Sequence, residues 1–373
     1  MVQQHDRRVA MWLLFCCGMI FMMVMIGGVT RLTRSGLSMT SWKPIKGTLP
    51  PMSKAAWEKE FTRYKKFPEY QKVNHKMTLA EFKSIFWMEY FHRLWGRLIG
   101  LVFFFPFVFF WWRGWLRRDM IGQYVLMFIG GGLQGVLGWY MVKSGLVNRP
   151  SVSQYRLVAH LSAAFLLYAY LAWVAWGLLY PKEEQQTTTE TPQKEEDLRS
   201  ITRSFFYVSL GVTTLLCVMI LSGGFVAGLK AGHQYNTFPL MGGKWVPDGI
   251  LAYTPWIRNF FENVATVQFT HRTLAYVLCL VVPGYWWYAQ KFALSVRLRR
   301  AFHVLIGLFV LQVTLGLTTL LLHVPVPIAA MHQLGALCLF TVTLFINHQV
   351  KREVSTAPAT SSVDQAEAVS TAQ

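Results

Sequence analysis

Eight apolar segments, each about 20 residues or longer, constrain this chain more than any other feature. A helix of that length crosses the hydrocarbon layer of a bilayer, and in lipid only helices and closed barrels satisfy their backbone hydrogen bonds. The segments lack the strict alternation of barrel strands. The sequence therefore predicts an all-α integral membrane protein with eight transmembrane helices. The predicted spans are roughly 9–28, 86–112, 119–141, 154–180, 203–228, 262–290, 297–322 and 328–350.

Composition agrees with this class and excludes a nucleic-acid partner. Apolar residues make up 53% of the 373-residue chain and charged residues only 14%, against about 25% charge in a soluble domain. The formal net charge is +18, but no basic segment carries a nucleic-acid motif. Positive charge beside spans normally sets topology and attracts anionic lipid. The expected surroundings are a lipid bilayer.

Charge in the short loops predicts the orientation. Loops 113–118 and 291–300 hold seven Lys and Arg, whereas loops 142–153 and 323–327 hold two. Both termini are therefore expected in the cytoplasm. Loop 29–85 is expected outside although it carries 12 Lys and Arg against four Glu, because the charge rule weakens at about its length. The short N-terminal segment is unlike an organelle transit peptide, which predicts a multi-pass protein of the bacterial cytoplasmic (inner) membrane.

A polar, Thr-rich segment divides the spans four and four. Residues 181–200 are interpreted as a flexible cytoplasmic linker between an N-terminal unit, 1–180, and a C-terminal unit, 201–352, and the tail 353–373 is expected to be disordered. The units resemble each other, which predicts two pseudo-symmetric four-helix bundles related by an axis along the membrane normal. The matching positions are LQGVLG (133–138) with LQVTLG (311–316), Gly27-Gly28 with Gly223-Gly224, His92-Arg93 with His271-Arg272, and His160 with His332.

The four repeated histidines all lie one to three predicted turns below the outer surface. Two histidines at one depth on facing helices of a bundle can ligate one haem iron from opposite sides. A lone intramembrane histidine is as often a helix contact, but four at duplicated positions favour haem. We predict the pairs His92 with His160 and His271 with His332. The glycine-rich stretch 130–138 either leaves room for a macrocycle or serves plain helix packing.

Arginines near the outer ends of the spans are candidates for contacts with haem propionates, because a guanidinium suits a carboxylate. Snorkelling to the interface explains them equally well. The candidates are Arg31, Arg34, Arg93, Arg97 and Arg272.

One position breaks the symmetry between the halves. Glu89 stands three residues before His92 and shares its helix face, whereas Gln268 holds the same place before His271. An ionisable residue inside a span predicts function, here proton transfer. A structural ion pair with Arg93 or Arg97 is the alternative. We predict that the first half is the reaction site and the second a fixed cofactor site.

Three long stretches resemble the haem A synthase family, in particular its proteobacterial and mitochondrial branch. They are GGVTRLTRSGLSMTSWKPIKGTLPP at 27–51, FWMEYFHRLWGRLIG at 86–100, and AGLKAGHQYNTFPLMGGKWVP over 231–247 with its lead-in. The resemblance covers about residues 10 to 350. Some branches of the family carry a cysteine pair in an outer loop. The five cysteines of this chain all fall in predicted spans.

The resemblance implies oxidation of the C8 methyl of haem O to a formyl group by two hydroxylations and loss of water, giving haem A for terminal oxidases. It implies that His271 and His332 hold a haem b cofactor. His92 and His160 would bracket the substrate, and Glu89 would be the essential carboxylate. It also implies haem O synthase and an electron donor as partners, and self-association is expected.

Two other functions compete with this interpretation. A bis-histidine cytochrome b that passes electrons from quinol explains the histidines but not the contrast between Glu89 and Gln268. A transporter built from repeats predicts broken spans at matched positions. Its only support is Pro106 and Pro283, one in each of two spans.

Overall fold

The computed structural model describes residues 2–41, 46–147, 150–180, 192–292 and 294–356. Within these residues the chain is built from α-helices joined by loops and short 3-10 turns, and no strand is formed. The helices are α1 Val2–Leu32, α2 Lys54–Tyr64, α3 Pro68–Lys72, α4 Leu79–Trp112, α5 Ile121–Val147, α6 Gln154–Leu179, α7 Pro192–Leu229, α8 Asn259–Glu262, α9 Val264–Ala289, α10 Val296–Leu321 and α11 Val326–Thr356.

Eight of these helices are long and apolar enough to cross a membrane, which confirms the predicted all-α multi-pass class. They are α1, α4, α5, α6, α7, α9, α10 and α11. Helix α4 begins at Leu79, about two turns before the predicted start at 86. Thr78 and Glu81 form a reciprocal capping box there, and this satisfies the first free N–H groups of the helix.

The structure differs from the sequence interpretation in the connecting segments. The predicted outer loop 29–85 contains the two helices α2 and α3. Helix α7 begins at Pro192, so the end of the predicted linker is helical, and α11 runs into the predicted tail as far as Thr356. Residues 181–191 and 357–373 lie outside the described residues.

The membrane helices of each half pack in a ring. In the first half α1 packs against α4 and α6, and α5 also packs against α4 and α6, so that α4 and α6 lie across the ring from each other. In the second half α7, α9, α10 and α11 repeat this order, with α9 across from α11. We infer from these contacts that each half is a four-helix bundle. The halves meet where α1 and α6 face α7 and α11.

Close approach of the two halves requires glycine at two matched positions. A Cβ built on Gly28 of α1 would overlap the side-chain amide of Gln333 in α11. A Cβ on Gly224 of α7 would lie 2.9 Å from Val158 in α6. Gln333 also donates a hydrogen bond to the Val24 carbonyl at 3.1 Å. The second glycine of each Gly-Gly pair therefore lets the last helix of the opposite half pack closely.

Segment 29–85, which we predict to lie outside the membrane and call the outer segment, has a small apolar cluster of its own. Trp57, Phe61 and Tyr64 of α2 pack against Phe82 and Phe86 at the start of α4. These side chains are at most 9% exposed. The cluster fixes the amphipathic helix α2 over the extension of α4, and so anchors the outer segment beside Glu89.

A buried acid in α3 makes the outer segment sensitive to pH. Glu69 is 6% exposed and accepts a hydrogen bond from the Tyr64 hydroxyl at 3.0 Å. Burial raises the pKa of Glu69 from 4.5 to about 7. The hydrogen bond from Tyr64 lowers this pKa, the charge of Glu89 raises it, and the charges of Lys230 and Arg34 lower it. The folded state therefore binds more protons than the unfolded state between about pH 4.5 and 7, so the free energy of unfolding falls as pH rises through that window.

We expect thermal unfolding of the protein in detergent to occur at a lower temperature near pH 7.5 than near pH 5. At about 1.4 kcal/mol per pKa unit, Glu69 contributes at most roughly 3 kcal/mol to this difference. Glu69→Gln should flatten the dependence, and Glu58→Gln, a change at an exposed position of α2, should leave it unchanged. Equal pH dependence in the wild type and Glu69→Gln would contradict the assignment.

Candidate functional site

Each of the four repeated histidines lies against a glycine of the preceding membrane helix. His92 is on α4, His160 on α6, His271 on α9 and His332 on α11. A Cβ built on the partner glycine would come within 2.9 to 3.2 Å of the ring, closer than side chains normally pack. The pairs are Gly27 with His92, Gly138 with His160, Gly223 with His271 and Gly316 with His332.

The histidines lie at similar depth and pair within their own half. The partner glycines fall within about two or three turns of the C-terminal ends of their helices. His92 and His160 both belong to the first half, and His271 and His332 both belong to the second. The two members of each pair stand on helices that lie across the ring from each other. All four rings are half-buried, as expected for side chains that border a space between helices.

The repeated LQxxLG sequence has a direct structural role. The Gln134 side-chain amide donates a hydrogen bond to the His160 carbonyl at 2.9 Å, and Gln312 donates to the His332 carbonyl at the same distance. The glycine four residues later in each motif faces the same histidine ring. The motif therefore supports the backbone of one histidine in each half and makes room for its imidazole.

Bulky substitution of these glycines is expected to displace the histidines. Gly138→Val or Gly316→Val places methyl groups where the Cβ alone already lies 3.0 or 2.9 Å from Cε1 of the imidazole. Each variant should lose the haem of its own half, measured as haem per protein after purification. Gly122→Val and Gly307→Val on the same two helices are controls, because a Cβ there meets nothing within 4 Å. Full haem content in Gly316→Val would contradict this role.

The free nitrogen atoms of the histidines fit axial ligation of iron. The Nδ1 atoms of His160 and His332 are buried and have no hydrogen-bond partner among the described residues. An unpaired buried imidazole nitrogen is costly, and a bound iron or a hydrogen-bonding group of a ligand would account for it. Together with the glycine-lined ring positions, this chemistry fits a haem in each half.

The two halves differ in side-chain size at three matched positions of α5 and α10. Three glycines of α5 have open space where a Cβ would stand: Gly131, Gly132 and Gly135. The matching residues of α10 are Phe309, Val310 and Val313. Phe309 is 6% exposed and belongs to the apolar core of the second half. The three glycines are exposed, so at these positions α5 presents glycine where α10 presents larger side chains.

Arg93 and Arg272 hold equivalent loop segments in the two halves. Arg93 donates to the carbonyl oxygens of Met39 at 2.9 Å and Ser41 at 3.4 Å. Arg272 donates to those of Tyr235 at 2.7 Å and Thr237 at 2.8 Å. Met39 and Tyr235 stand at the same distance in sequence after the matched glycines Gly27 and Gly223. The duplication thus extends into the outer loops.

The other three arginines occupy different surroundings. Arg31, at the end of α1, donates to the carbonyls of Ala227 at 2.7 Å and Gly228 at 3.1 Å, and so joins the two halves. Arg34 follows α1 with a left-handed backbone, φ 55°. Arg97 lies one turn after Arg93 on α4 and is half-buried. Their contact with propionates stays a prediction.

Glu89 is the buried acid of the first half, with 2% of its surface exposed. Its Oε1 pairs with Arg93 at 2.5 Å. Its Oε2 accepts hydrogen bonds from the Ser38 hydroxyl at 2.7 Å and from the Met39 N–H at 2.8 Å. The ion pair expected from the structural alternative is therefore present, and Ser38 and Met39 add two further hydrogen-bond donors to the carboxylate.

Gln268 occupies the position in the second half that matches Glu89, but its side chain donates a hydrogen bond to the loop where Glu89 accepts one. Its side-chain amide donates to the Tyr235 carbonyl at 2.9 Å, whereas Glu89 accepts from the backbone of the matching residue, Met39. Each half thus binds its loop through this position. Only the first half retains an ionisable group there.

Sequence reasoning missed three kinds of supporting residue. Ser38 binds Glu89 from far along the chain, and Ser222 binds Nδ1 of His271 at 2.7 Å. Gln134 and Gln312 support histidine carbonyls. The glutamines carried a signal, since they recur in the repeated LQxxLG motif. The serines carried none, because neither has a matching residue of the same type in the other half.

Comparisons with known proteins point to one family. The family model for cytochrome oxidase assembly proteins, COX15-CtaA, matches residues 10–344. The chain is 48% identical to the haem A synthase of Nitrosospira multiformis over 348 residues, 93% of this chain and 95% of the relative. It is 45% identical to haem A synthase COX15 of Bos taurus over 353 residues, 93% and 83% of the two chains. For haem A synthase COX15 of Arabidopsis thaliana the identity is 42% over 355 residues, 94% and 76%.

Proposed function

The chain belongs to the COX15-CtaA family of cytochrome oxidase assembly proteins, and on that premise we propose that it is a haem A synthase that oxidises the C8 methyl of haem O to a formyl group. The observation that carries this proposal is the unequal duplication. Two matched histidine pairs stand in matched frames, and only the first has a buried carboxylate beside it, Glu89.

The first half is assigned the substrate and the second the cofactor. His92 and His160 bracket haem O in the first half, where α5 presents the glycines. His271 and His332 hold haem b in the second half, where Phe309 fills the matching position. When bound, haem b supplies one-electron redox chemistry. The protein supplies orientation and electrostatics.

Glu89 accepts and returns a proton beside the substrate. It shares a helix face with His92 and is closed off from solvent. Arg93 at Oε1 and the two donors at Oε2 hold the carboxylate in place. It can then take the proton from one hydroxyl of the twice-hydroxylated methyl and return it to the other hydroxyl, which leaves as water and gives the formyl group. The Ser38 hydroxyl gives the proton a hydrogen-bonded neighbour at Oε2.

The surroundings follow from the eight membrane helices and the charge of the loops. We assign the protein to a bacterial inner membrane with both termini in the cytoplasm and the histidine pairs near the outer face. Haem O synthase is the partner that supplies the substrate. Because oxygen atoms enter the product, the reaction also requires an oxidant, together with a separate electron donor that reduces the protein. Self-association in the membrane is part of this proposal.

The test is a haem extract from cells that make haem O and express the protein. We expect haem A by chromatography and mass only when the protein is present. Glu58→Gln, at an exposed position outside the span, is the control for membrane insertion and yield. A pigment that contains haem b at both sites, with no haem A formed, would contradict the proposal and favour the electron-carrying cytochrome.

A further inference from the structure

A serine hydroxyl distinguishes the histidine of the second half from its counterpart in the first. Ser222 Oγ lies 2.7 Å from Nδ1 of His271. The same hydroxyl donates to the Met219 carbonyl one turn earlier in α7, at 2.7 Å. A serine hydroxyl has one hydrogen. Since Met219 takes it, Ser222 Oγ accepts and His271 Nδ1 donates.

This hydrogen bond defines the tautomer of His271. With the proton on Nδ1, Nε2 carries the free lone pair, and no hydrogen bond to Nε2 is formed among the described residues. The chain Nδ1–H to Ser222 to Met219 also fixes the ring plane, because it ties the imidazole of His271 on α9 to a hydroxyl that is itself bonded to the backbone of α7. A hydrogen bond at the far nitrogen raises the basicity of a histidine ligand and orients it.

The first half has no such device. The residue before the matched glycine Gly27 is Ile26, where the second half has Ser222 before Gly223. Ile26 has no side-chain hydrogen-bonding group. The two rings also present different edges to their glycines: Nε2 of His92 faces Gly27 at 3.2 Å, whereas Cε1 of His271 faces Gly223 at 3.2 Å.

We propose that Ser222 is a positioning residue that holds His271 in the Nδ1-protonated tautomer, so that Nε2 binds iron and the haem of the second half is retained while that of the first half exchanges. The inference rests on the proposed function for the identity of the two haems. A synthase must release its product from one site and keep its cofactor in the other. Ser222 in the second half and Ile26 in the first half are a difference that suits a retained cofactor in one site and an exchangeable haem in the other.

The experiment measures haem b on the purified, haem-loaded protein. In Ser222→Ala we expect transfer of haem b to an excess of an apo-globin to become about 10- to 100-fold faster. We also expect the midpoint potential of haem b to rise, because a less basic axial ligand stabilises ferric iron less. Ser222→Thr, which keeps the hydroxyl, should restore both values.

Two controls separate positioning from a general loss of structure. Thr214→Ala removes a hydroxyl from the same helix that bonds only the Leu210 carbonyl, at 2.9 Å, and should change neither value. The potential of the first-half haem in Ser222→Ala should also stay unchanged. Unaltered transfer rate and potential of haem b in Ser222→Ala, or equal changes in Thr214→Ala, would overturn the proposal.

The outcome is independent of the activity test. If haem A is not formed but Ser222→Ala releases haem b faster, the proposed function fails and the role of Ser222 stands. If haem A is formed and Ser222→Ala behaves as the wild type, the role of Ser222 fails and the function stands.

Discussion

Glu89→Gln should lower haem A production at least about 100-fold while both haems stay bound, since loss of a general acid or base typically costs 10²- to 10⁴-fold in rate. The variant keeps the size of the side chain, and Gln268 occupies the matching place in the second half without preventing the same fold. It removes the negative charge that pairs with Arg93 at 2.5 Å. The measurement is haem A formed per haem b in membranes.

The design separates chemistry from folding. Haem b content and the yield of monodisperse protein should match the wild type, because the four histidines and their glycines are untouched. Glu58→Gln is the matched acid-to-amide control at an exposed site. If Glu89→Gln formed haem A at the wild-type rate, Glu89 would be only a structural partner of Arg93, Ser38 and Met39.

Removing one histidine pair should empty one site and spare the other. His271→Ala and His332→Ala should abolish bound haem b, because each would remove a proposed ligand of the haem iron from the second half. His92→Ala and His160→Ala should retain haem b and lose haem O and haem A. For each variant, pyridine haemochrome spectra and mass spectrometry identify the haem that remains bound.

His75→Ala is the control for this series, since His75 is exposed in the outer segment. It should keep the pigment composition of the wild type. The packing of the two halves through α1, α6, α7 and α11 allows one site to empty while the other half still folds. Loss of all pigment from every one of the four variants would contradict separate sites.

The membrane helices could be predicted because the bilayer fixes their length and leaves the backbone few alternatives. The histidine, glycine and LQxxLG positions could be found because the chain repeats them. Sequence could not reveal that Gly27 faces a histidine while Gly28 faces the other half. Adjacent residues of a helix point in different directions, but which neighbour each one contacts depends on how the helices pack.

Long-range polar contacts were beyond the sequence for a different reason. Ser38 reaches Glu89 because the chain folds back after α1. Ser222 on α7 reaches His271 on the neighbouring helix α9. Helices α2 and α3 were missed because their polar, basic composition resembles a loop, and their apolar face becomes evident only against Phe82 and Phe86 of α4.

The most direct test of two separate haem sites is a cryo-EM map of the protein purified with its pigments. The account predicts two planar densities at similar depth near the outer face. One should lie between His92 and His160 with Glu89 beside it, and the other between His271 and His332. A single haem shared between the halves, or imidazoles turned away from both densities, would contradict it.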